Sequence, residues 1–301
     1  METLARRRGA AFRVPETFDD VWAFFDAYTA ATDLIETHED LAELSRAFIY
    51  AEAREGVVYL ETAIEPQLYS PRLGTPEQVT RTMLAAFAEG AKDAGIEVGA
   101  LLTINTDRDL DIADDLARLA AKYAGRGIAA LGTAGFVEPG DLGRFRSAAR
   151  IGEAAGLPVV SHAGQTGGPD SIEDALDGVG ARRISHGFRA VESDALVARL
   201  AAEQIVCDIC PVSNVKLRVV QHIADHPAPR LLAAGVPVTL NADDELWFSA
   251  SITDQYEIAR TVWGLDDATI AKFARAGALA TGMGTTTRER LLSGIGAWLA
   301  S

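Results

Sequence analysis

The sequence has little cysteine, little positive charge and no long apolar run. Two cysteines in 301 residues are too few for the disulfide framework of a small secreted protein. Lys and Arg total 28 against 43 Asp and Glu, so the net charge is −15. That balance disfavours a nucleic-acid binder and a protein that docks on an anionic membrane. No stretch reaches the roughly 18 apolar residues that a bilayer span needs.

A secretory signal is also missing, because the basic start Met1–Arg8 is not followed by an apolar segment. We therefore expect a cytoplasmic protein. Hydrophobic residues make up 48% of the chain, which excludes disorder for most of it. No Pro/Gly/Ser-rich linker divides the sequence, and its length suits one barrel-sized domain spanning residues 1–301. The sequence leaves the oligomeric state open.

Short apolar runs alternate along the chain with longer Ala-rich amphipathic stretches. This alternation predicts an α/β fold with a parallel sheet. The seven predicted strands are Val57–Ile64, Val98–Ile104, Ile128–Leu131, Val159–His162, Arg183–His186, Ile205–Ile209 and Val236–Asn241. Seven strand-helix units indicate a (β/α)8 barrel of the TIM type whose first strand is missing from this chain. An open doubly wound sheet is the alternative, but the glycine-rich phosphate loop typical of that fold does not follow the first strand.

Helices are predicted between the strands and before them. An aromatic stretch, Val21–Tyr28, is expected to pack in the core, although it could also line a pocket mouth or contact a partner. The other predicted helices are Ala42–Glu52, Thr80–Ala94, Leu110–Tyr123, Arg144–Ala155 and Asp194–Gln204. Glycines such as Gly95 stand just before strands, where a helix C-cap belongs.

Polar side chains end three of the predicted strands. His162 ends one strand, His186 ends the next, and Asp243 and Asp244 follow the last. In a barrel the active site is built from the carboxyl ends of the strands, so these groups should converge. A single such His could be structural, and an Asp pair could cap a helix. Together they favour a divalent metal such as zinc, which takes His nitrogen and Asp oxygen.

Two further spacings favour structural explanations. Cys207 and Cys210 form a C-x-x-C within an apolar run, where small buried side chains are the better interpretation. His222 and His226 have i, i+4 spacing, but Pro227 breaks the helix that would align them. We expect both histidines at the surface.

Four segments in this order resemble the adenosine deaminase family of the amidohydrolase superfamily. Ser161–Gln165 resembles the family's His-Ala-Gly-Glu, and Arg183–Gly187 resembles Arg-Ile-x-His-Gly. Cys210–Asn214 resembles Cys-Pro-x-Ser-Asn, and Asn241–Asp244 resembles Asn-x-Asp-Asp. The resemblance runs through most of the chain. It implies a metal-dependent hydrolase barrel that deaminates a purine-type base or nucleoside, such as adenine, adenosine or aminodeoxyfutalosine, by cleaving a C–N bond of a cyclic amidine.

The resemblance also implies the roles of individual residues. One Zn²⁺ per chain would be bound by His162 and Asp243. His186 would orient the attacking hydroxide, and Gln165 stands where the family has the Glu that protonates the purine. Zinc brings the pKa of a bound water to about 7, which suits this reaction.

The substrate contacts follow from the same resemblance. Asp244 would hydrogen-bond the purine at its imidazole nitrogen. Gly135 and Gly164 would bring backbone close to the ring. The expected partner is thus a small purine-like molecule.

Two departures from the family pattern bear on catalysis. The family opens with a strand that ends in a His-x-His pair of zinc ligands, and this chain has no such pair. In addition, Gln165 is an amide and delivers no proton, whereas general acid catalysis contributes about 10²–10⁴-fold. The alternatives to a deaminase are therefore a catalytically degraded barrel that binds a purine-like ligand or a protein partner without turnover, and an amidohydrolase with altered chemistry.

Overall fold

Seven parallel strands form one sheet in the computed structural model, which describes residues 1–135 and 140–301. The strands are β1 (Tyr59–Ile64), β2 (Glu97–Asn105), β3 (Ile128–Ala134), β4 (Val159–Ala163), β5 (Arg183–His186), β6 (Val206–Ile209) and β7 (Val238–Leu240). Their order in the sheet is their order in the chain, with β1 and β7 at the two edges. This is the predicted TIM-type barrel without its first strand.

Helices connect and cover the strands. Within the described residues they are α1 (Glu2–Arg7), α2 (Val21–Thr32), α3 (His38–Arg54), α4 (Pro76–Ala94), α5 (Ala113–Lys122), α6 (Arg146–Ala154), α7 (Pro169–Gly178), α8 (Asp194–Glu203), α9 (Pro211–Lys216), α10 (Ala228–Ala233), α11 (Glu245–Phe248), α12 (Ile252–Thr261), α13 (Asp267–Ala280) and α14 (Thr285–Leu299). None of the described helices has the length and apolarity to cross a membrane.

Helix α4 shows why the boundaries fall where they do. Thr75 accepts from the backbone N–H of Gln78, and Pro76 occupies the first turn, where its missing N–H costs nothing. The helix therefore begins earlier than the apolar periodicity predicts. It ends at Gly95, whose φ of 72° is the left-handed conformation expected of a C-cap glycine.

The aromatic helix α2 packs against the segment that follows β7. The ring of Phe24 lies 5.3 Å from that of Phe248 and 5.4 Å from that of Phe18, measured between centroids. Trp247 completes this cluster. The prediction of core packing is confirmed for Phe24, whereas Trp22 in the same stretch is exposed. The contact brings α2 next to the end of the last strand.

An ion network inside the sheet connects strands that are not neighbours. Nη2 of Arg183 in β5 lies 2.6 Å from Oε2 of Glu61 in β1, and Nε lies 2.7 Å from Oδ2 of Asp208 in β6. Glu61 also accepts from the backbone N–H of Gly282, beyond α13. Because three strands lie between β1 and β5 in the sheet order, these contacts show that the sheet curls on itself.

A carboxyl pair links α3 to α11. Glu52 is buried, and burial together with a hydrogen bond to Glu245 raises the pKa of Glu52 to about 8. The Glu52 side chain is therefore mostly protonated at neutral pH.

Candidate functional site

Two histidines stand side by side at the carboxyl ends of β4 and β5. Ala163 pairs with His186 in the parallel register, and the His162 and His186 ring centroids are 5.3 Å apart. Nδ1 of His162 lies 3.0 Å from the Thr133 carbonyl oxygen. Since a carbonyl accepts only, Nδ1 carries the proton and Nε2 keeps its lone pair for a metal.

The backbone is tightly constrained where these strands end. His186 has a φ of 70°, an uncommon conformation for a residue with a side chain and one concentrated at functional sites. A Cβ at Gly164 would lie 2.4 Å from Cδ1 of Ile172 and 3.0 Å from the Cα of Gly187. The glycines therefore allow β4 and β5 to approach closely where the histidines emerge.

His186 is deeply buried and electrically neutral. It is 2% exposed, and its Nδ1 has no hydrogen-bond partner among the described residues. Burial lowers the pKa of His186 to about 4, with a further lowering by His162 and an opposing effect of Asp243. The imidazole thus offers an unprotonated nitrogen at neutral pH, as a metal ligand or a proton acceptor requires.

The two aspartates after β7 differ in their surroundings. Oδ2 of Asp243 accepts a 2.6 Å hydrogen bond from the Ser213 hydroxyl, which fixes the carboxylate, and the Asp243 backbone has a φ of 63°. For Asp244, burial raises the pKa well above its usual value, and the negative charges of Asp243 and Glu65 add to that effect. The Asp243 carboxylate, held by Ser213, is thus available to a cation, and the surroundings of Asp244 favour its protonated form.

A cysteine, Cys210, lies close to both His186 and Asp243. A ring nitrogen of His186, the Cys210 sulfur and a carboxylate oxygen of Asp243 all lie within 4.8 Å of one another. Cys210 is buried, as the sequence predicts, and lies directly before α9. Its nearness to the other two groups was not predicted.

A cavity beside His162 contains three of the other six predicted site residues; His186, Asp243 and Asp244 are not among its lining residues. Gly135, Gly164 and Gln165 line it together with His162 and Thr133. The Gly164 N–H donates to the Ser171 hydroxyl, 2.9 Å away. Gly164 therefore contributes surface to the cavity, while its N–H is already used.

The residues at these strand ends fit a zinc ion. His162 and His186 each present a ring nitrogen, Asp243 presents a carboxylate, and Cys210 presents sulfur, which are the ligand types of zinc. The buried Nδ1 of His186 without a partner supports the same conclusion.

Two residues near Asp244 were missed by the sequence analysis. Glu65 follows β1, and burial, with the nearby Asp109, raises the pKa of its carboxyl to about 7. Tyr28 of α2 is close enough for Glu65 and Asp244 to raise the pKa of its phenol, beyond the main effect of burial. Extending the inspection of strand ends to β1 would have found Glu65.

The expectation of a surface position is wrong for His226. It is buried, with Nε2 3.1 Å from Oδ1 of Asn214, while Nδ1 accepts from the Ala228 N–H. Burial lowers the pKa of His226 to about 3. Pro227 separates the two short helical segments, as predicted, but the His226 ring packs against Trp263, with the ring centroids 5.7 Å apart. His222 is exposed, as expected.

Comparisons with known proteins identify the family and the fold of the chain. The model of the adenosine deaminase family matches residues 4–298. A putative adenosine/adenine deaminase of Streptomyces coelicolor is 36% identical over 300 residues, covering 99% of this chain and 88% of the relative. The crystal structure of an adenine deaminase from Arthrobacter aurescens superposes with a TM-score of 0.90 at 29% identity, covering 99% of this chain and 94% of that one. An amidohydrolase structure from Burkhoderia ambifaria with bound Zn has a TM-score of 0.84 at 21% identity, covering 98% and 87%.

Proposed function

Because the chain belongs to the adenosine deaminase family, we propose that it hydrolytically deaminates a purine-type base or nucleoside with the help of one zinc ion. The observation that supports the proposal is that His186, at the end of β5, lies beside both His162, at the end of β4, and Asp243, which follows β7, while His162 lines the cavity that contains Gln165. Adenine, adenosine and aminodeoxyfutalosine are the substrates to test. We take residues 1–301 as one catalytic domain that acts in the cytoplasm.

His162 and Asp243 would hold the metal in the arrangement that the family resemblance implies. Nε2 of His162 is available because Nδ1 is engaged with Thr133, and Ser213 orients the Asp243 carboxylate. When bound, zinc supplies Lewis acidity that makes water an effective nucleophile near neutral pH.

His186 would orient the attacking water and accept its proton. The imidazole is neutral because burial lowers its pKa to about 4. It is packed beside His162, so a proton taken up on its ring lies next to the reacting centre. Its strained backbone fixes the direction of the ring.

Asp244, Gly135, Gly164 and Gln165 would bind the purine. Burial and the neighbouring Asp243 raise the pKa of Asp244, which favours the protonated carboxyl that can donate to an imidazole nitrogen of the ring. Gly135 and Gly164 line the cavity and add no side chain to it. Gln165 can hold a ring nitrogen by a hydrogen bond, but its amide transfers no proton.

A purine-binding barrel without turnover is the second candidate. It is favoured by Gln165, since the position that carries a proton donor in the family carries an amide here. The two candidates agree on ligand and pocket and differ only in the chemical step.

The deciding experiment combines turnover and binding on zinc-loaded protein. Each of the three substrates is incubated with the protein, the amino group released is measured as ammonia, and binding is measured by calorimetry. The deaminase proposal expects ammonia release that His186→Ala abolishes and that His222→Ala, at an exposed histidine, leaves unchanged. Binding without ammonia release would establish the second candidate, and neither binding nor release would refute both.

A further inference from the structure

Glu65 points into the curled sheet at the end where the site residues lie. It directly follows β1, and the carboxyl end of β1 is at the same edge of the sheet as His162. Glu61 in β1 faces inward, because its carboxylate contacts Arg183 of β5 across the sheet. Side chains alternate between the two faces of a strand, so the residue four positions after Glu61 has the same direction. The Glu65 carboxyl therefore lies on the inner face.

The Glu65 side chain does not serve the local backbone. Glu65 stands at the N-cap position of the 3₁₀ turn Pro66–Tyr69, but its side chain makes no capping hydrogen bond. Its carboxyl is hydrogen-bonded to the side chain of Asn105, the last residue of β2. Since Oδ1 of Asn105 accepts from the Asp107 N–H at 3.1 Å, the amide nitrogen is the group that donates to Glu65. A carboxylate has further acceptor positions, which a ligand can use.

The surroundings of Glu65 place it between two sides of the proposed purine pocket. On one side is Asn105, whose Oδ1 lies 3.1 Å from the position that a Cβ on Gly135 would take. Gly135 in turn lines the cavity beside His162. On the other side is Asp244, whose pKa the negative charge of Glu65 helps to raise. Around the curled sheet from β7 to β3, Glu65 thus comes after Asp244 and before Gly135.

A purine bound in this pocket presents a definite edge to Glu65. The imidazole nitrogen nearest the reacting carbon is N7, so Asp244 would donate to N7. N9 lies across the five-membered ring from N7 and next to the edge that contains N3. A group between Asp244 and Gly135 therefore faces N9. A free base has a hydrogen at that nitrogen, whereas a nucleoside has its sugar there.

We propose that Glu65 determines the substrate specificity of this site: its carboxylate accepts the N9–H of a free purine base, so the site prefers a base to a nucleoside. This inference rests on the proposed purine pocket. Asp244 as a donor at N7 and Glu65 as an acceptor at N9 together select the base whose imidazole proton is on N9. A nucleoside has no such proton and leaves the carboxylate without its partner, and a site of this kind discriminates strongly against the analogue that lacks the N–H.

Calorimetry on zinc-loaded protein tests the contact at N9 without turnover. Hypoxanthine has an N9–H and 9-methylhypoxanthine does not, and neither has an amino group to release. The titration is done at about pH 8, because burial and the nearby Asp109 raise the pKa of Glu65 to about 7, so the carboxylate form prevails. We expect hypoxanthine to bind roughly 10–100-fold more tightly than its methyl derivative, as for a hydrogen bond to a charged group.

Variants at position 65 assign the preference to this side chain. Glu65→Ala should bind the two ligands equally, mainly through weaker binding of hypoxanthine. Glu65→Gln keeps the volume and an accepting oxygen but not the charge, so it should keep a smaller preference. Glu55→Ala is the control, because Glu55 is an exposed carboxylate that precedes β1, and it should show the wild-type ratio. Circular dichroism checks that each variant is folded.

Equal affinity of the wild-type protein for the two ligands overturns the proposal, as does a preference that survives in Glu65→Ala. If Glu65→Ala does not fold, an unchanged ratio in Glu65→Gln overturns it. Ammonia release from adenine and 9-methyladenine separates this proposal from the deaminase function. Release from both with similar kcat/KM refutes the role of Glu65 and leaves the deaminase standing. Preferential binding of hypoxanthine without any ammonia release does the reverse, and no binding of either ligand overturns the purine pocket together with the role of Glu65.

Discussion

Replacing Arg183 with Met should destabilise the protein far more than any single surface ion pair could. The side chain is 8% exposed, and its guanidinium lies between the carboxylates of Glu61 and Asp208 at 2.6 and 2.7 Å. Met fills a similar volume but leaves both carboxylates buried without their cation. Removing one partner of a buried ion pair costs about 3–5 kcal/mol, which is a large part of the roughly 5–15 kcal/mol of a typical domain.

The measurement is urea-induced unfolding followed by circular dichroism. Arg199→Met is the control, because Arg199 also lies between two carboxylates, those of Asp177 and Glu203, but on the surface. Exposed pairs contribute about 0–1 kcal/mol. The destabilisation of Arg183→Met should also shrink as the pH falls, since protonation neutralises the stranded carboxylates. A loss no larger than that of Arg199→Met would refute the view that the network holds the curled sheet together.

Three other predictions follow from single side chains. Gln165→Glu should raise deaminase turnover by about 10²–10⁴-fold in metal-loaded protein, since it restores a proton donor; no gain, with ammonia release as the assay, would count against the assigned role of position 165. His226→Gln should make the protein less sensitive to acid. The pKa of His226 is about 3 in the folded protein and ordinarily 6.5, so the wild type loses folding free energy as the pH falls below 6.5. The loss reaches about 2 kcal/mol at pH 5. Thermal melts of the exposed His222→Gln should follow the wild type. Glu52→Gln should stabilise the protein by roughly 3 kcal/mol at pH 7. The pKa of Glu52 is raised to about 8, so the wild type loses stability as the pH rises from 4.5 toward 8, and the amide avoids that loss. An equal gain in Glu55→Gln, at an exposed position, would contradict this explanation.

The strand pattern was predictable because buried parallel strands read as short apolar runs. His162, His186 and Asp243 could be placed together for the same reason, since the carboxyl ends of parallel strands share one edge. The position of Cys210 depends on how the chain leaves β6 and enters α9, which periodicity does not describe.

The predictions that were wrong or missing depend on contacts that a local sequence pattern does not contain. His226 is buried because Asn214 and the Ala228 N–H satisfy its ring nitrogens, and such tertiary partners are invisible in a local sequence window. Helices α7, α9 and α10 were not predicted although strands flank them, and α11–α14 were not predicted because no strand alternates with them to mark their ends.

The closeness of Gly164 to Gly187 has a consequence for how this site can change over evolutionary time. A methyl group on Gly164 would meet Ile172 and Gly187, so the spacing of the two histidines depends on a position that offers the chemistry no side chain at all. Substitutions of the reactive side chains do not by themselves add atoms between β4 and β5. Any side chain at Gly164 would push against the backbone of Gly187 and the side chain of Ile172. A library that seeks new activity in this scaffold should therefore vary Gln165 and leave its glycine neighbour unchanged.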